Sequence, residues 1–395
     1  MTALPVETGH ESSIGRIRAL DGMRGLAALG VMLLHFSLQL RPEHLPLKAL
    51  KIVLVTGPRL ELFFILSGFL VTGLLYDAKG RERYFKNFYA RRMLRILPLY
   101  YGALTILFVM PHLISAPGAA AFQVPLEDQL WYWFYLQNFR PLPPLFIGLA
   151  WHFWSLAIEQ QFYLVWPLVI YKASRETALK ICGLLIAVSF TYRIFGNFEG
   201  VGEGTIWPTP ARLDGIAVGS AIALIMRGPR GLEPMRRRLH PIFLSAVAYI
   251  ALYTAFGRLG LERRQIFPLY FVSTAVFFGS LLIYAIHAGH GPGGKILRSR
   301  VLAFFGKYGY GLYIFHVPLI SIGVIIGFTP GNMNRVGSEL LGGLIYLAGM
   351  IGMSTVAALI SWHLWEKQFL KLKPLFMKSR ATPAERRDSA VAEQA

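Results

Sequence analysis

Long apolar runs recur along the whole sequence, and they limit the possible folds more than any other feature. Of the 395 residues, 54% are hydrophobic, and the mean hydropathy is +0.48. Several runs reach about 18–25 residues, the length of a helix that crosses a bilayer. Soluble proteins of this length are less apolar. The pattern therefore predicts an all-α, polytopic integral membrane protein. Because no long polar linker interrupts it, we predict one membrane domain.

The runs predict a bundle of about ten transmembrane helices with one shorter apolar piece. The predicted spans cover about 18–40, 52–77, 94–111, 150–171, 179–196, 211–226, 241–257, 268–287, 302–327 and 339–364. The stretch LWYWFYLQNF (130–139) is too short to cross and predicts a half-helix or interfacial segment. The sequence is therefore predicted to contain three regions. They are a polar cytoplasmic tail at 1–17, a transmembrane domain at 18–365 and a basic, partly disordered cytoplasmic tail at 366–395.

The distribution of Lys and Arg predicts the orientation. Four basic loops fall on one side of a ten-span arrangement: 78–92, 172–180, 227–240 and 288–300. On the other side, 112–149 and 197–210 contain one basic residue, Arg140. The positive-inside rule then places both termini in the cytoplasm, and the basic loop 258–264 is the exception. The net charge of +19 is explained by these loops, so we expect no nucleic acid partner.

Several classes of site are not predicted. The single cysteine, Cys182, excludes an internal disulfide and a cysteine metal cluster. No HExxH motif or carboxylate triad indicates a metal site, and no Walker motif is present. The polar residues 1–19 lack the features of a cleavable signal peptide. The oligomeric state cannot be read from the sequence.

The first span, RALDGMRGLAALGVMLLHFSLQ, contains three polar groups: Asp21, Arg24 and His35. Charged residues at membrane depth cost roughly 2.5–3.5 kcal/mol each, so their presence points to a function. Eleven positions separate Arg24 from His35. They therefore lie on nearly one helix face, roughly 16 Å apart along the axis. This suggests two points on an internal path; the alternative is an anchoring arginine and a packed histidine.

The third span begins with two arginines, Arg92 and Arg95, on one helical face. Guanidinium groups bind phosphate through paired hydrogen bonds, so this pair suits a phosphate-bearing ligand from the cytoplasm. An ordinary positive-inside anchor is the alternative.

The stretch WHFWSLAIEQQFYLVWP (151–167) places a carboxylate, Glu159, within a span. Ser155 and Tyr163 lie four residues before and after it, so the three share a helix face. A buried carboxylate requires a partner or takes up a proton. Glu159 is therefore predicted to orient a histidine or move protons, or else to hold a structural hydrogen-bond network. Ser155 alone is typical of helix packing.

Two later spans contain further polar candidates. Arg212 and Asp214 open one span at its outer boundary, where they form a site, a local ion pair or a helix start. His316 lies near the middle of another span, preceded at intervals of three by Tyr313, Tyr310 and Lys307. This stripe suits a cavity wall, and a packed core histidine is the alternative.

Taken together, these stretches resemble the acyltransferase family 3 integral-membrane proteins, which transfer acyl groups, usually acetyl, onto sugar hydroxyls. Six matching stretches occur in order: LDGMRGLAALGVMLLHF (20–36), LFFILSGFLVTGLL (62–75), YARRMLRILPLY (89–100), WHFWSLAIEQQFYLVWP (151–167), RLDGIAVG (212–219) and GYGLYIFHVPL (309–319). The resemblance extends along nearly the whole chain. It implies a ten-helix architecture in the stand-alone form, without an added extracytoplasmic domain.

The resemblance also implies roles for particular residues. Arg24 and His35 match the essential pair of the first span, and Arg92 and Arg95 match the arginine motif of the third. Five further residues match motif positions: Ser67, Gly68, Trp154, Ser155 and Glu159. The implied donor is cytoplasmic acyl-CoA, acting as a co-substrate rather than a bound cofactor. The implied acceptor is a glycan or glycoconjugate, and the implied location is a bacterial inner membrane.

Our hypothesis from the sequence is that His35 acts as the general base, because an imidazole has a pKa near operating pH. Glu159 is expected to orient His35 or hold its charge. An acylated histidine is an alternative route.

Two other functions remain open at this stage. A proton-coupled transporter would use His35, Glu159 and His316 as a proton relay, although the internal repeats common in transporters are absent. A glycan-assembly scaffold would use the polar stripes only to hold its helices together.

Overall fold

A computed structural model describes residues 17–55, 59–113, 123–140, 148–198, 207–236, 238–258, 267–287 and 291–377. Within these ranges every regular element is a helix. The predicted N-terminal tail, except residue 17, and residues 378–395 of the predicted C-terminal tail lie outside them, as does most of the 258–264 loop.

Twelve helices of eight or more residues form the fold. They are α1 (Arg18–Leu38), α2 (Leu45–Val55), α3 (Arg59–Asp77), α4 (Tyr84–Leu104), α5 (Leu126–Trp133), α6 (Trp154–Lys172), α7 (Arg175–Phe198), α8 (Leu213–Met226), α9 (Leu239–Arg258), α10 (Phe267–His287), α11 (Arg300–Ile325) and α12 (Glu339–Ser361). Shorter helical pieces include Gly148–Phe153, Glu233–Arg236, Lys367–Leu370 and Lys373–Met377.

The helices confirm an all-α polytopic membrane bundle. Among the described residues, eight helical segments are long and apolar enough to cross a membrane. They contain α1, α3, α4, α7, α8, α10, α11 and α12. The other two predicted spans coincide with α6 and α9, and the apolar part of α9, Leu239–Ala255, is shorter than the eight.

Some helix boundaries differ from the prediction. Residues 56–58 of the run predicted as one span at 52–77 lie outside the described ranges, with α2 before them and α3 after them. The predicted interfacial piece is the short helix α5, which begins earlier, at Leu126, and is followed by a 3₁₀ turn at Gln137–Phe139.

The arginines predicted at the entry of the third span lie well inside a longer helix. Helix α4 begins at Tyr84 and continues through a π-helical turn, Thr105–Val109, to Leu113. At the other end of the chain, the helical structure continues past residue 366 as far as Met377. These last turns pack on α4.

Two helix pairs form the centre of the bundle: α1 with α11, and α3 with α8. Glycines allow the backbones to touch. A Cβ added to Gly25 would lie 2.0 Å from the carbonyl oxygen of Leu302, and one added to Gly68 would lie 2.0 Å from that of Ile216. Small residues at helix crossings permit this close packing in membranes. Gly68, predicted as a motif position, therefore has a packing role in this structure.

Candidate functional site

The interior polar side chains form three groups, which we name the histidine cluster, the arginine cluster and the buried ion-pair cluster. The histidine cluster comprises His35, His152, Ser155, Tyr313 and His316. The arginine cluster comprises Arg24, Arg92 and Arg95 with the neighbouring Ser67, Glu159 and Tyr163. The buried ion-pair cluster comprises Glu61, Arg193, Arg212 and Asp214. Nearly all of the residues singled out from the sequence belong to one of these groups.

The histidine cluster forms because α1 and α11 pack side by side. His35 Nδ1 lies 2.7 Å from His316 Nε2, and the two rings stack with centroids 5.0 Å apart. The edge of His35 also contacts the indole of Trp151, with ring centroids 5.1 Å apart. His316 is fully buried, whereas His35 is partly exposed. His35 is therefore the more accessible member of the pair.

The hydrogen bonds of His316 fix the tautomer of both rings. His316 Nδ1 lies 2.7 Å from the carbonyl oxygen of Tyr313, which can only accept, so Nδ1 carries the proton. In a neutral ring, His316 Nε2 is then the acceptor, and His35 Nδ1 donates to it. The remaining nitrogen of His35, Nε2, is left without a proton. That atom has the lone pair that a general base requires.

A third histidine completes the cluster. His152 Nε2 donates to the same Tyr313 carbonyl oxygen at 2.9 Å and interacts with the carbonyl of Ile314. That carbonyl has no helical partner, because Pro318, four residues on, lacks an N–H. The Tyr313 hydroxyl donates to the His152 carbonyl oxygen at 2.5 Å. Ser155 lies 2.6 Å from that hydroxyl, so it donates to it.

Glu159 does not lie where the sequence hypothesis placed it. Its carboxylate accepts a hydrogen bond from Tyr163, one helical turn along α6, at 3.3 Å. The Tyr163 hydroxyl is also hydrogen-bonded to Ser67 on α3. Among the described residues, the hydrogen-bond partner of His35 is His316 and not Glu159. The expected orienting carboxylate is thus replaced by a second imidazole, because α11 packs closer to α1 than α6 does.

The arginine cluster brings together side chains from α1 and α4. Arg24, Arg92 and Arg95 are all partly exposed, and their positive charges are near enough to repel one another. The Arg92 guanidinium lies over the Tyr163 ring, 4.9 Å from its centroid. None of the ion pairs within the described ranges joins a carboxylate to any of the three arginines. Such a concentration of positive charge suits an anionic ligand.

Two further residues, Glu366 and Tyr310, border this cluster. Glu366, from the π-helical turn after α12, is buried, is hydrogen-bonded by Ser361 at 3.2 Å and interacts electrostatically with Arg95. Tyr310 donates to the Ile96 carbonyl oxygen at 2.8 Å and interacts with both Arg95 and Glu159. It lies two helical turns before His316 on α11, so it connects the arginine and histidine clusters. Asp21, in the first turn of α1, interacts electrostatically with Arg24.

The buried ion-pair cluster lies at the N-terminal ends of α3 and α8, away from the arginine cluster. Arg193 and Asp214 are fully buried and form an ion pair of 2.6 Å. Arg212 pairs with Glu61 at 3.5 Å, and both are also buried. Arg212 and Asp214 therefore pair across helices, and the alternative of a local ion pair between them is wrong. The sequence analysis missed Arg193 because its partner is on another helix.

Aromatic rings enclose this cluster. The Arg212 guanidinium lies 4.7 Å from the centroid of Phe271 and 5.6 Å from that of Trp154. Trp154, another predicted site residue, packs edge-on against Trp207, with centroids 4.8 Å apart. Trp154 is therefore one of the aromatic side chains that surround a buried charge. Among the residues that the structure describes, no group of three His, Cys, Asp or Glu side chains could hold a metal ion.

Comparison with known proteins adds a family to this geometry. A family model described as an acyltransferase domain, of acyltransferase family 3, matches residues 17–362. Two relatives are the O-acetyltransferase OatA of Staphylococcus aureus strain NCTC 8325 / PS 47 and that of strain COL. Each is 27% identical over 320 residues, which is 76% of this chain and 50% of the relative.

The chain thus spans about half the length of these curated relatives. Comparison with the solved structures found no match. The family model extends across all three polar clusters, from α1 to the start of the turn after α12. On this evidence, the chain belongs to acyltransferase family 3.

Proposed function

We propose that this protein is a membrane O-acyltransferase that moves an acyl group, acetyl in the first instance, from acyl-CoA to a hydroxyl of a glycan or glycoconjugate. The family model and the O-acetyltransferase relatives support acyl transfer to oxygen. We assign it to a bacterial inner membrane from the family resemblance, and we place both termini in the cytoplasm from the distribution of basic loops. Acyl-CoA serves as a co-substrate in this proposal, and no bound cofactor takes part.

One observation carries the assignment of the base: the contact of 2.7 Å between His35 Nδ1 and His316 Nε2. It leaves His35 Nε2 unprotonated and holds the ring in one orientation. In our proposal His35 is the catalytic base, and His316 is a positioning residue that replaces Glu159 in the role of orienting it. Glu159, with Tyr163 and Ser67, instead belongs to the arginine end of the path.

The donor is assigned from the arginine cluster. Coenzyme A carries several phosphates, and three arginines that form no ion pair among the described residues lie together on α1 and α4. In the assigned orientation they are nearer the cytoplasmic end of α1 than His35 is. Arg24 and His35 are eleven residues apart on one continuous helix, so roughly 16 Å separates them along the axis. An extended pantetheine arm suits this distance between the bound phosphates and the thioester.

The proposed chemistry needs one proton acceptor and one leaving group. His35 Nε2 removes the proton from the acceptor hydroxyl as its oxygen attacks the thioester carbonyl carbon. A C–O bond forms, the C–S bond breaks, and the thiolate of CoA leaves. The proton on His35 then passes to that thiolate, which restores the neutral ring. The products are the acylated hydroxyl and free CoA.

The test uses purified protein in nanodiscs with radiolabelled acetyl-CoA and a glycan extract of the host. We expect label transfer by the wild type and a loss of about 10²–10⁴-fold in His35→Ala, the contribution typical of general base catalysis. His363→Ala is the matched control, because His363 is exposed near the cytoplasmic end of α12. Full transfer by folded His35→Ala would overturn the base assignment. Proton-coupled solute flux without acyl transfer would establish the transporter alternative.

A pair of variants separates positioning from general structure at His316. Gln places an amide oxygen near the position of Nε2, so His316→Gln keeps an acceptor for His35 Nδ1, whereas His316→Ala removes it. We expect kcat to fall more in His316→Ala than in His316→Gln, with KM for acetyl-CoA unchanged in both. In the wild type, kcat/KM should rise with pH to a plateau, because the base must be neutral. Equal kcat in the two variants would contradict the positioning role.

A further inference from the structure

An apolar groove of about 990 Å³ lies on the bundle away from the three polar clusters. Its walls come from α8, α9 and α10, with Ile186 of α7 at one edge. Ile222, Ile242 and Ile283 are representative of the lining. The volume is at the upper end of the range for sites that hold a small ligand, about 300–1,000 Å³.

A glycine lets α8 pack closely on α10 along one wall of the groove. Gly279 of α10 faces α8, and a Cβ added there would lie 3.0 Å from a methyl carbon of Val218. The absence of a side chain at this position therefore allows Val218 and Ile222 to contact α10. The lining is predominantly apolar, so the shape and chemistry suit a hydrocarbon chain rather than a polar solute.

The mouth of the groove is basic. Arg230 and Arg238 line it and are exposed, and neither forms an ion pair among the described residues. The carboxylate at the mouth, Glu233, is already paired with Arg236 at 3.3 Å. Among the described residues at this end of the groove, three arginines and one carboxylate give a local charge of +2. An apolar channel with two uncompensated cations at its mouth is complementary to an anionic amphiphile.

We propose that this groove binds one acyl chain of an anionic glycerophospholipid, with Arg230 and Arg238 contacting its phosphate. The mouth lies at the end of α8 that the basic loops assign to the cytoplasmic leaflet. Basic pockets between membrane helices on that side are typical sites for anionic lipid headgroups. The short helix Glu233–Arg236 supplies the rim, and α9 and α10 supply the walls. The bound lipid would fill the space between α8 and α10 that their own side chains leave open.

The test uses the whole protein in phosphatidylcholine nanodiscs with a trace of phosphatidylglycerol that carries a photoactivatable diazirine on one chain. After irradiation, mass spectrometry locates the labelled peptides. We expect labels on α8 and α10 within the groove, displaced by unlabelled phosphatidylglycerol and not by phosphatidylcholine. One basic residue strengthens binding to an anionic lipid surface roughly five-fold. Labelling of the double variant Arg230→Gln/Arg238→Gln should therefore fall by an order of magnitude or more.

The matched control is Lys295→Gln/Arg300→Gln, which removes two exposed charges at the same membrane boundary, outside the groove. Its labelling should equal that of the wild type. A second variant, Ala221→Phe, fills the groove and leaves both arginines, so it should lose the labels within the groove. Equal displacement by the two lipids, labelling unaffected by the double variant, or displacement by CoA would each overturn the proposal.

Discussion

Arginines occur at both ends of the helix bundle, and the two groups differ in their surroundings. Arg193 and Arg212 are buried, and each is paired with a carboxylate from another segment of the chain. Arg24, Arg92 and Arg95 are partly exposed and have no ion-pair partner among the described residues. The charges of Arg193 and Arg212 are already paired within the protein. The positive charges of Arg24, Arg92 and Arg95 repel one another.

This difference distinguishes structural arginines from binding arginines. A buried charge is stable only when it is paired and hydrogen-bonded, so the ion-pair cluster serves to hold α3, α7 and α8 together. Partly exposed arginines that form no ion pair gain charge-assisted hydrogen bonds when a phosphate arrives. We therefore expect substitutions in the first group to lower stability, and substitutions in the second to weaken donor binding.

The largest effect is expected in the buried ion-pair cluster. Asp214→Ala leaves the fully buried Arg193 unpaired, which should lower the free energy of unfolding by about 3–5 kcal/mol. Thermal unfolding of the purified protein measures the change. The double variant Arg193→Met/Asp214→Leu removes both charges and should recover most of the loss. Normal stability with lost acyl transfer in Asp214→Ala would instead place this cluster in the catalytic machinery.

A smaller effect, on a different quantity, is expected in the arginine cluster. Arg92→Gln removes a charge-assisted contact to phosphate, worth about 1.5–3 kcal/mol, so KM for acetyl-CoA should rise roughly 10- to 150-fold. The free energy of unfolding should fall by about 1 kcal/mol or less, which is the contribution of the lost contact with the Tyr163 ring. Steady-state kinetics and thermal unfolding of the same preparation test both statements. An unchanged KM would show that Arg92 does not bind the donor.

The smallest effect is expected for Arg175, a partly exposed arginine in the first turn of α7. Arg175 pairs with its neighbour Glu176 at 3.2 Å, and the carboxylate side is largely exposed. Exposed pairs contribute about 0–1 kcal/mol, so Arg175→Gln should leave both stability and KM close to wild type. If Arg175→Gln raised KM as much as Arg92→Gln does, donor binding would depend on the total positive charge of the protein and not on the arginine cluster.

Much of the bundle could be predicted from the sequence, because in a membrane the length of an apolar run largely decides that it forms a helix. The prediction that Arg24 and His35 lie on one continuous helix follows from the length of the same kind of apolar run.

The partners of the polar side chains were harder to predict than their positions. His35 and His316 are 281 residues apart in sequence. Glu61 and Arg212 also belong to different segments, which lie together because the helix that contains Glu61 packs closely on the helix after Arg212. Glu159 was predicted to orient His35 because a buried carboxylate requires a partner, but which partner it contacts depends on which helices are neighbours. Arg193 was missed for the same reason, because within α7 nothing marks it as half of an ion pair.

The most direct test of the arginine comparison is a binding titration in nanodiscs with CoA and with pantetheine, which lacks the nucleotide phosphates. We predict that the wild type binds CoA much more tightly than pantetheine, and that Arg92→Gln loses most of this preference. The folded double variant Arg193→Met/Asp214→Leu should keep it. Equal affinity of the wild type for CoA and pantetheine would contradict the claim that the arginine cluster binds the phosphates of the donor.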